Sequence, residues 1–137
     1  MNGFNKKLTG RTGEFIAQKY LEEEGYTILE RNYRNKYGEI DIIARKNTDL
    51  FFIEVKTRTS SEYGDPLEAV NRSKIIKIRK VANFYMIKNK LSNINPNFDV
   101  IAITLSAALI KEISKNSKSL EVKNTGNIKI EHIFNAF

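Results

Sequence analysis

Between residues 12 and 24 the apolar positions Ile16, Ala17, Tyr20 and Leu21 recur at helical spacing, and Gly25 stands where a helix would stop. The pattern predicts an amphipathic first helix. Residues 26–33 (YTILERNY) are rich in β-formers, and beyond Gly38 come two strongly β-prone segments, 39–45 (EIDIIAR) and 50–57 (LFFIEVKT). The short polar connection Lys46-Asn47-Thr48-Asp49 predicts that these two form an antiparallel hairpin. A loop with Ser60, Ser61, Gly64, Asp65 and Pro66 leads into a helical pattern over residues 67–90, interrupted near 71–73. Within it Ile75, Ile78, Ala82 and Tyr85 share one face, while Lys74, Lys77, Arg79 and Lys80 lie mostly off it. Asn95-Pro96-Asn97 breaks the chain before a buried strand at 98–105 (FDVIAITL); residues 114–119 read as an exposed polar turn and 128–134 (IKIEHIF) as a last strand. The order α-β-β-β-α-β-β, with no repeat or low-complexity linker, predicts an α/β fold: a mixed β-sheet flanked by helices.

The hairpin register gathers chemistry. If the chain turns symmetrically about Asn47 and Thr48, Asp41 faces Glu54 and Glu39 faces Lys56. Side chains alternate along a strand, so Asp41, Glu54 and Lys56 then emerge on one face together with Ile43 and Phe52, and Ile40, Ile42, Ile53 and Val55 on the other. With both faces apolar, the acids are expected to be partly buried. Carboxylates roughly 5 Å apart repel by about 3 kcal/mol at an effective dielectric of about 20, before any desolvation cost. A divalent cation reverses the sign of that interaction, and hard carboxylate oxygens favour Mg²⁺ or Mn²⁺. The bland alternative is a charge network of Glu54 and Lys56 at a sheet edge, with Asp41 solvated at the start of its strand.

Composition narrows the classes. The 137 residues, 41% of them hydrophobic, suffice for one core and one domain over residues 1–137. The absence of cysteine excludes disulfides, thiolate nucleophiles and cysteine-bound zinc, so any metal must sit on oxygen or on His132. A net charge of +7 suits a polyanionic partner, nucleic acid or an anionic membrane surface. No apolar run approaches the ~20 residues of a bilayer span, which makes the cytoplasm the expected location.

Gly38-Glu39-Ile40-Asp41 followed by Ile53-Glu54-Val55-Lys56-Thr57-Arg58 resembles the D…ExK core of the PD-(D/E)XK nuclease superfamily. Within it the chain resembles the YraN-like family of small bacterial proteins, similar in layout to archaeal Holliday-junction resolvases. The resemblance extends through residues 10–17 (GRTGEFIA), Gly25-Tyr26, Asn32-Tyr33-Arg34, residues 98–102 (FDVIA) and the closing 132–137 (HIFNAF). It implies a restriction-endonuclease-like fold, Asp41 and Glu54 as ligands of Mg²⁺ or Mn²⁺, Lys56 as the catalytic lysine and Glu14 as an acid supplied by the first helix. The superfamily's namesake proline is replaced by Ile40. The implied activity is metal-dependent endonuclease cleavage of DNA, extending to branched or flapped forms, and by analogy with resolvases that cut two symmetric strands, a homodimer is expected.

Further residues are candidates for nucleic-acid contact. Arg31, Arg34 and Lys36 interleave with Tyr33 and Tyr37, a pattern suited to holding phosphates and stacking a base. Arg58 follows the core motif, and Lys74 heads the basic run of the second helix, where related nucleases place a polar residue near the site. The bland counterpart is a basic loop and a solvated helix face. The lone His132 is read as structural, Asp99 as a strand-opening residue satisfied by solvent or a cap, and Glu22-Glu23-Glu24 as surface. Competing with the nuclease are a nucleic-acid-binding protein that does not cut, and an adaptor that binds a protein through its sheet edge.

Overall fold

The computed structural model describes residues 3–60, 65, 70–115 and 125–137, with side chains from Lys6 onward in the first helix and up to Glu112 in the third. Helix α1 (Gly3–Glu23) precedes strands β1 (Thr27–Asn35), β2 (Gly38–Lys46) and β3 (Asp49–Thr59); then come α2 (Arg72–Lys88), β4 (Pro96–Leu105), α3 (Ala107–Lys115), a 3-10 turn (Thr125–Asn127) and β5 (Ile128–Ile133). The five strands form one sheet in the order β1-β2-β3-β4-β5. β3 and β4 pair in parallel, as expected where a helix forms the crossover between two strands, and every other neighbouring pair is antiparallel. The mixed sheet flanked by helices is the predicted architecture, with two differences in extent. α1 starts well before residue 12, and α3 was not predicted. α3 is nine residues long, and its start is marked by Ser106, whose Oγ accepts the Leu109 N–H at 3.1 Å. Ser114 and Lys115, expected in an exposed turn at 114–119, instead end α3; the rest of that turn, the loop residues Ser61, Gly64 and Pro66 and the helical pattern over 67–69 fall outside the described residues.

Each helix covers one face of the sheet. Ile16, Ala17 and Leu21 of α1 and Leu109 of α3 bury Ile42, Ala44, Ile53, Ile101 and Ile103 on one side. Ile78, Val81, Ala82, Tyr85 and Met86 of α2 bury Ile40, Ile43, Phe52 and Phe98 on the other. The two central strands are therefore covered on both faces, which is why they read as nearly continuous apolar runs. α1 ends at Gly25, where φ is +92° and the Tyr26 N–H reaches back to the Leu21 carbonyl at 2.9 Å, so the chain reverses and buries Tyr26 against the core. α2 begins at Asn71, whose Oδ1 accepts the Lys74 N–H at 2.9 Å and so fixes the first turn.

The β2–β3 ladder has the predicted register: Ile42 opposes Ile53, Ile43 opposes Phe52, and Lys46 opposes Asp49. It does not continue past Ile42 and Ile53, so neither the expected Asp41–Glu54 opposition nor the Glu39–Lys56 one is formed, and Glu39 instead accepts a hydrogen bond from Arg34 of β1 at 2.7 Å. Ile40 is a correction as well. It packs with Ile43 and Phe52 under α2 and not with Ile42 and Ile53. Strict alternation does not hold across Asp41, although Ile40 still pairs with Tyr33 and Ile42 with Arg31 on either side of Asn32, whose φ is +51°. β2 and β3 thus part at Asp41, and the cleft that opens between them holds the candidate site.

Asp99 is also corrected. It lies within β4, is 1% exposed and is not capped by solvent. Ile101 pairs with His132 of β5, which sets Asp99 diagonally across from His132, and the Asp99 carboxylate accepts from His132 Nε2 at 2.8 Å and from the Asn135 N–H at 2.9 Å. With Nε2 donating, Nδ1 of a neutral imidazole is left to accept the Tyr20 hydroxyl at 2.9 Å. His132 therefore ties α1 to β4 and β5, the structural role expected of it. Asp99→Ala leaves the buried ring N–H of His132 without its acceptor and frees the Asn135 N–H; a loss of about 2 kcal/mol in urea unfolding is the expected result.

Candidate active site

The cleft where β2 and β3 separate has a volume of about 590 Å³ and is lined by Lys6, Thr9, Gly10 and Glu14 of α1, Asp41 of β2, residues 54–59 of β3, and Lys74 of α2. Because β2 no longer covers this end of β3, side chains from both faces of β3 reach it: Glu54, Lys56 and Arg58 from one, Thr57 and Thr59 from the other. β3 is a central strand, which removes the reading of Glu54 and Lys56 as edge-strand charges.

Asp41 spans the opened ladder. Its Oδ2 accepts the Val55 N–H at 2.8 Å, replacing the hydrogen bond that backbone pairing would have supplied. Glu54 is 7% exposed and pairs with Lys74 Nζ at 2.9 Å. Burial and the neighbouring Glu54 charge push the Asp41 carboxyl up to about 7, against the opposing pull of the Val55 hydrogen bond and of Lys74. Glu54 is raised too, by burial foremost, with Lys74 holding it down. Glu14 is raised by burial and by Asp41, and lowered by a hydrogen bond from Asn32 and by the nearby Arg31. Three carboxyls thus disfavour one another's ionisation in one cleft, with cations at its edge.

Of the residues singled out in the sequence, Glu14, Asp41, Glu54, Lys56, Arg58 and Lys74 line this cleft. Arg31 is exposed and within electrostatic reach of Glu14. Arg34 and Lys36 lie outside the lining: Arg34 is held by Glu39, and the Lys36 ammonium lies 5.2 Å from the Tyr37 ring centroid. Arg79 sits over Phe98, 4.7 Å from the ring centroid, so it packs as part of the α2 face. Lys6, Thr9, Gly10, Thr57 and Thr59 were not anticipated. The signal for the α1 residues was present in the i, i+4 stripe Lys6–Gly10–Glu14, and for Thr57 and Thr59 in the period-2 continuation of Val55.

Among the described residues no group of three His, Cys, Asp or Glu is close enough to hold a metal ion. Asp41 and Glu54 are a pair of hard oxygen donors, which fits Mg²⁺ or Mn²⁺, because such ions are commonly held by one or two carboxylates and keep several waters. The desolvated, mutually repelling acids are the feature such an ion would relieve.

Comparison with known proteins places the chain. Residues 13–103, from the second half of α1 through most of β4, match the Uncharacterised protein family UPF0102. The chain belongs to that family. The matched segment includes Glu14, Asp41, Glu54, Lys56 and Lys74. A UPF0102 protein of Clostridium kluyveri is 52% identical over 103 residues, covering 75% of this chain and 84% of the relative. Those of Caldanaerobacter subterraneus and Clostridium beijerinckii are 41% and 43% identical over 137 residues, spanning all of this chain and 100% and 98% of their own. This is the family that the YraN-like resemblance indicated. Among the described residues no helix is long and apolar enough to cross a membrane.

Proposed function

We propose that this UPF0102 protein is a metal-dependent nuclease that hydrolyses phosphodiester bonds in DNA, with Asp41 and Glu54 as the cation ligands. The observation that carries the reading is the Asp41–Glu54 pair itself. Two acids raised by burial, Asp41 further by the charge of Glu54, stand in a cleft bordered by Lys6, Lys56, Arg58 and Lys74. A fold gains no stability from such a pair, so its presence points to a ligand. Bound between these carboxylates, Mg²⁺ or Mn²⁺ would polarise the phosphodiester and lower the pKa of the attacking water.

The chain's own groups do the rest. The Val55 N–H and the Lys74 ammonium each hold one carboxylate in place, so neither acid has to reorganise as charge develops. Lys56, exposed on the cleft wall, orients the attacking water or stabilises negative charge on the phosphate oxygens. Glu14, its carboxyl held above the usual range, serves as a proton carrier beside Asp41.

A DNA-binding role without cleavage is the second reading, favoured by one observation: Lys74 already places a cation on Glu54. Labelled linear, flapped and four-way-junction DNA with Mg²⁺ or Mn²⁺ separates the two. The wild type is expected to cut, and Lys56→Ala to cut about 10²- to 10³-fold more slowly with binding retained. A wild type that binds all three substrates and cuts none selects the second reading.

A further inference from the structure

Two glycines interrupt α1, and a glycine inside a helix costs about 1 kcal/mol relative to alanine. Gly13 has a packing reason: a Cβ there would fall 2.8 Å from Thr57 Cβ, so α1 can lie on β3 only without a side chain at that position. Among the described residues Gly10 has none. A Cβ built there meets no described atom within 4 Å, yet the residue is half-buried on the cleft wall. Gly10 is the middle of the stripe Lys6–Gly10–Glu14, whose members are successive neighbours along the helix, each about 6 Å of rise from the next. The stripe runs from a cation at the outer rim, across a bare stretch of helix backbone, to the acid beside Asp41.

From this we infer that the notch at Gly10 seats the sugar–phosphate backbone of a DNA strand next to the phosphodiester held at Asp41 and Glu54, with Lys6 neutralising the flanking phosphate. The inference rests on the nuclease reading for the identity of the strand, and it assigns α1 the task of positioning that strand. A backbone lying against the helix needs the missing Cβ, which is what a glycine with open space above it provides. Lys6 supplies the counter-charge that a phosphate requires and that Glu14, two turns further on, would oppose. Positioning of this kind sets affinity, and it sets the alignment of the reacting bond as well.

The test uses Gly10→Ala and Gly10→Leu in the full chain, read by binding of a fluorescent DNA duplex and of its single strand without divalent metal, with thermal unfolding of each variant alongside. Since a Cβ at Gly10 meets open space and alanine favours the helix, Gly10→Ala is expected to unfold at the wild-type temperature or above it while binding DNA more weakly. Gly10→Leu, which fills the notch, should weaken binding by about tenfold or more. Lys6→Ala should lower the slope of log affinity against log salt by about one. Wild-type affinity in both Gly10 variants overturns the inference. Cutting with Mg²⁺ is read separately. A wild type that cuts, with Gly10→Leu binding and cutting equally well, removes the seat and leaves the nuclease; a wild type that never cuts but loses affinity on Gly10→Leu leaves the seat and removes the nuclease.

Discussion

Asp41→Asn is expected to raise the melting temperature at about pH 8 and at the same time to abolish metal-dependent cutting. The sign follows from the raised carboxyl. In the folded chain Asp41 holds its proton up to about 7, against an ordinary value of 3.8. Between those values the folded state binds more protons than the unfolded one, so stability falls as pH rises and the full penalty stands above about 7. Asparagine removes the charge that burial and Glu54 oppose, while its Oδ1 can still accept the Val55 N–H. Each ~1 kcal/mol recovered lifts the melting point by about 4 °C in a chain of this size, and the gain should exceed one such step at about pH 8 and vanish below about pH 4. Cleavage should fall by more than about 10³-fold, since the same substitution removes a proposed metal ligand. Calorimetric scans of both proteins across that range check the first half, and equal melting points at about pH 8 would contradict it.

Gly13→Ala should be the most damaging small substitution in the chain. The added Cβ would meet the Cβ and Cγ2 of Thr57 at 2.8 and 2.9 Å, in addition to its hydroxyl. Rotation of Thr57 leaves the Cβ contact in place, because that atom lies on the rotation axis, and its branch keeps a second heavy atom close in most rotamers. α1 would have to lift from β3, taking Ile16 and Ala17 out of the core and moving Glu14 away from Asp41. A loss of about 3 kcal/mol is expected in urea unfolding, with most of it restored by Thr57→Gly in the same chain. Absence of rescue would show that some contact other than the α1–β3 approach requires Gly13. The contrast with Gly10→Ala, one turn earlier in the same helix, separates a glycine kept for packing from one kept for a ligand.

The sheet was legible because its strands carry strong period-2 and apolar signals and because a short polar turn fixes a hairpin register; the pairing of Ile42 with Ile53 follows from counting outward from Asn47 and Thr48. The kink was not. Nothing in the run EIDIIAR reveals that Ile40 packs on the opposite side from Ile42. Asp41, Glu54 and Lys56 were found as a group through that register and a motif. Lys74 reaches Glu54 only after the chain has crossed from β3 through α2, so its ion pair is a property of the crossover and not of local spacing. The same holds for Asp99 and His132, which meet by a diagonal across β4 and β5 that no pattern within either strand records. α3, at nine residues, is too short to carry a clear period and betrayed itself only through the cap at Ser106.

The central claim is that the buried acid pair exists to hold a divalent cation. Calorimetric titration of Mn²⁺ into the protein at about pH 6.5, in two buffers of different ionisation enthalpy, tests it most directly. Because burial and Glu54 raise the Asp41 carboxyl to about 7, cation binding at the pair is expected to displace a proton. Saturable uptake of Mn²⁺ accompanied by release of about one proton, and loss of both in Asp41→Asn, is the expected result. Uptake that releases no proton and persists in Asp41→Asn, or no uptake at all, would contradict it.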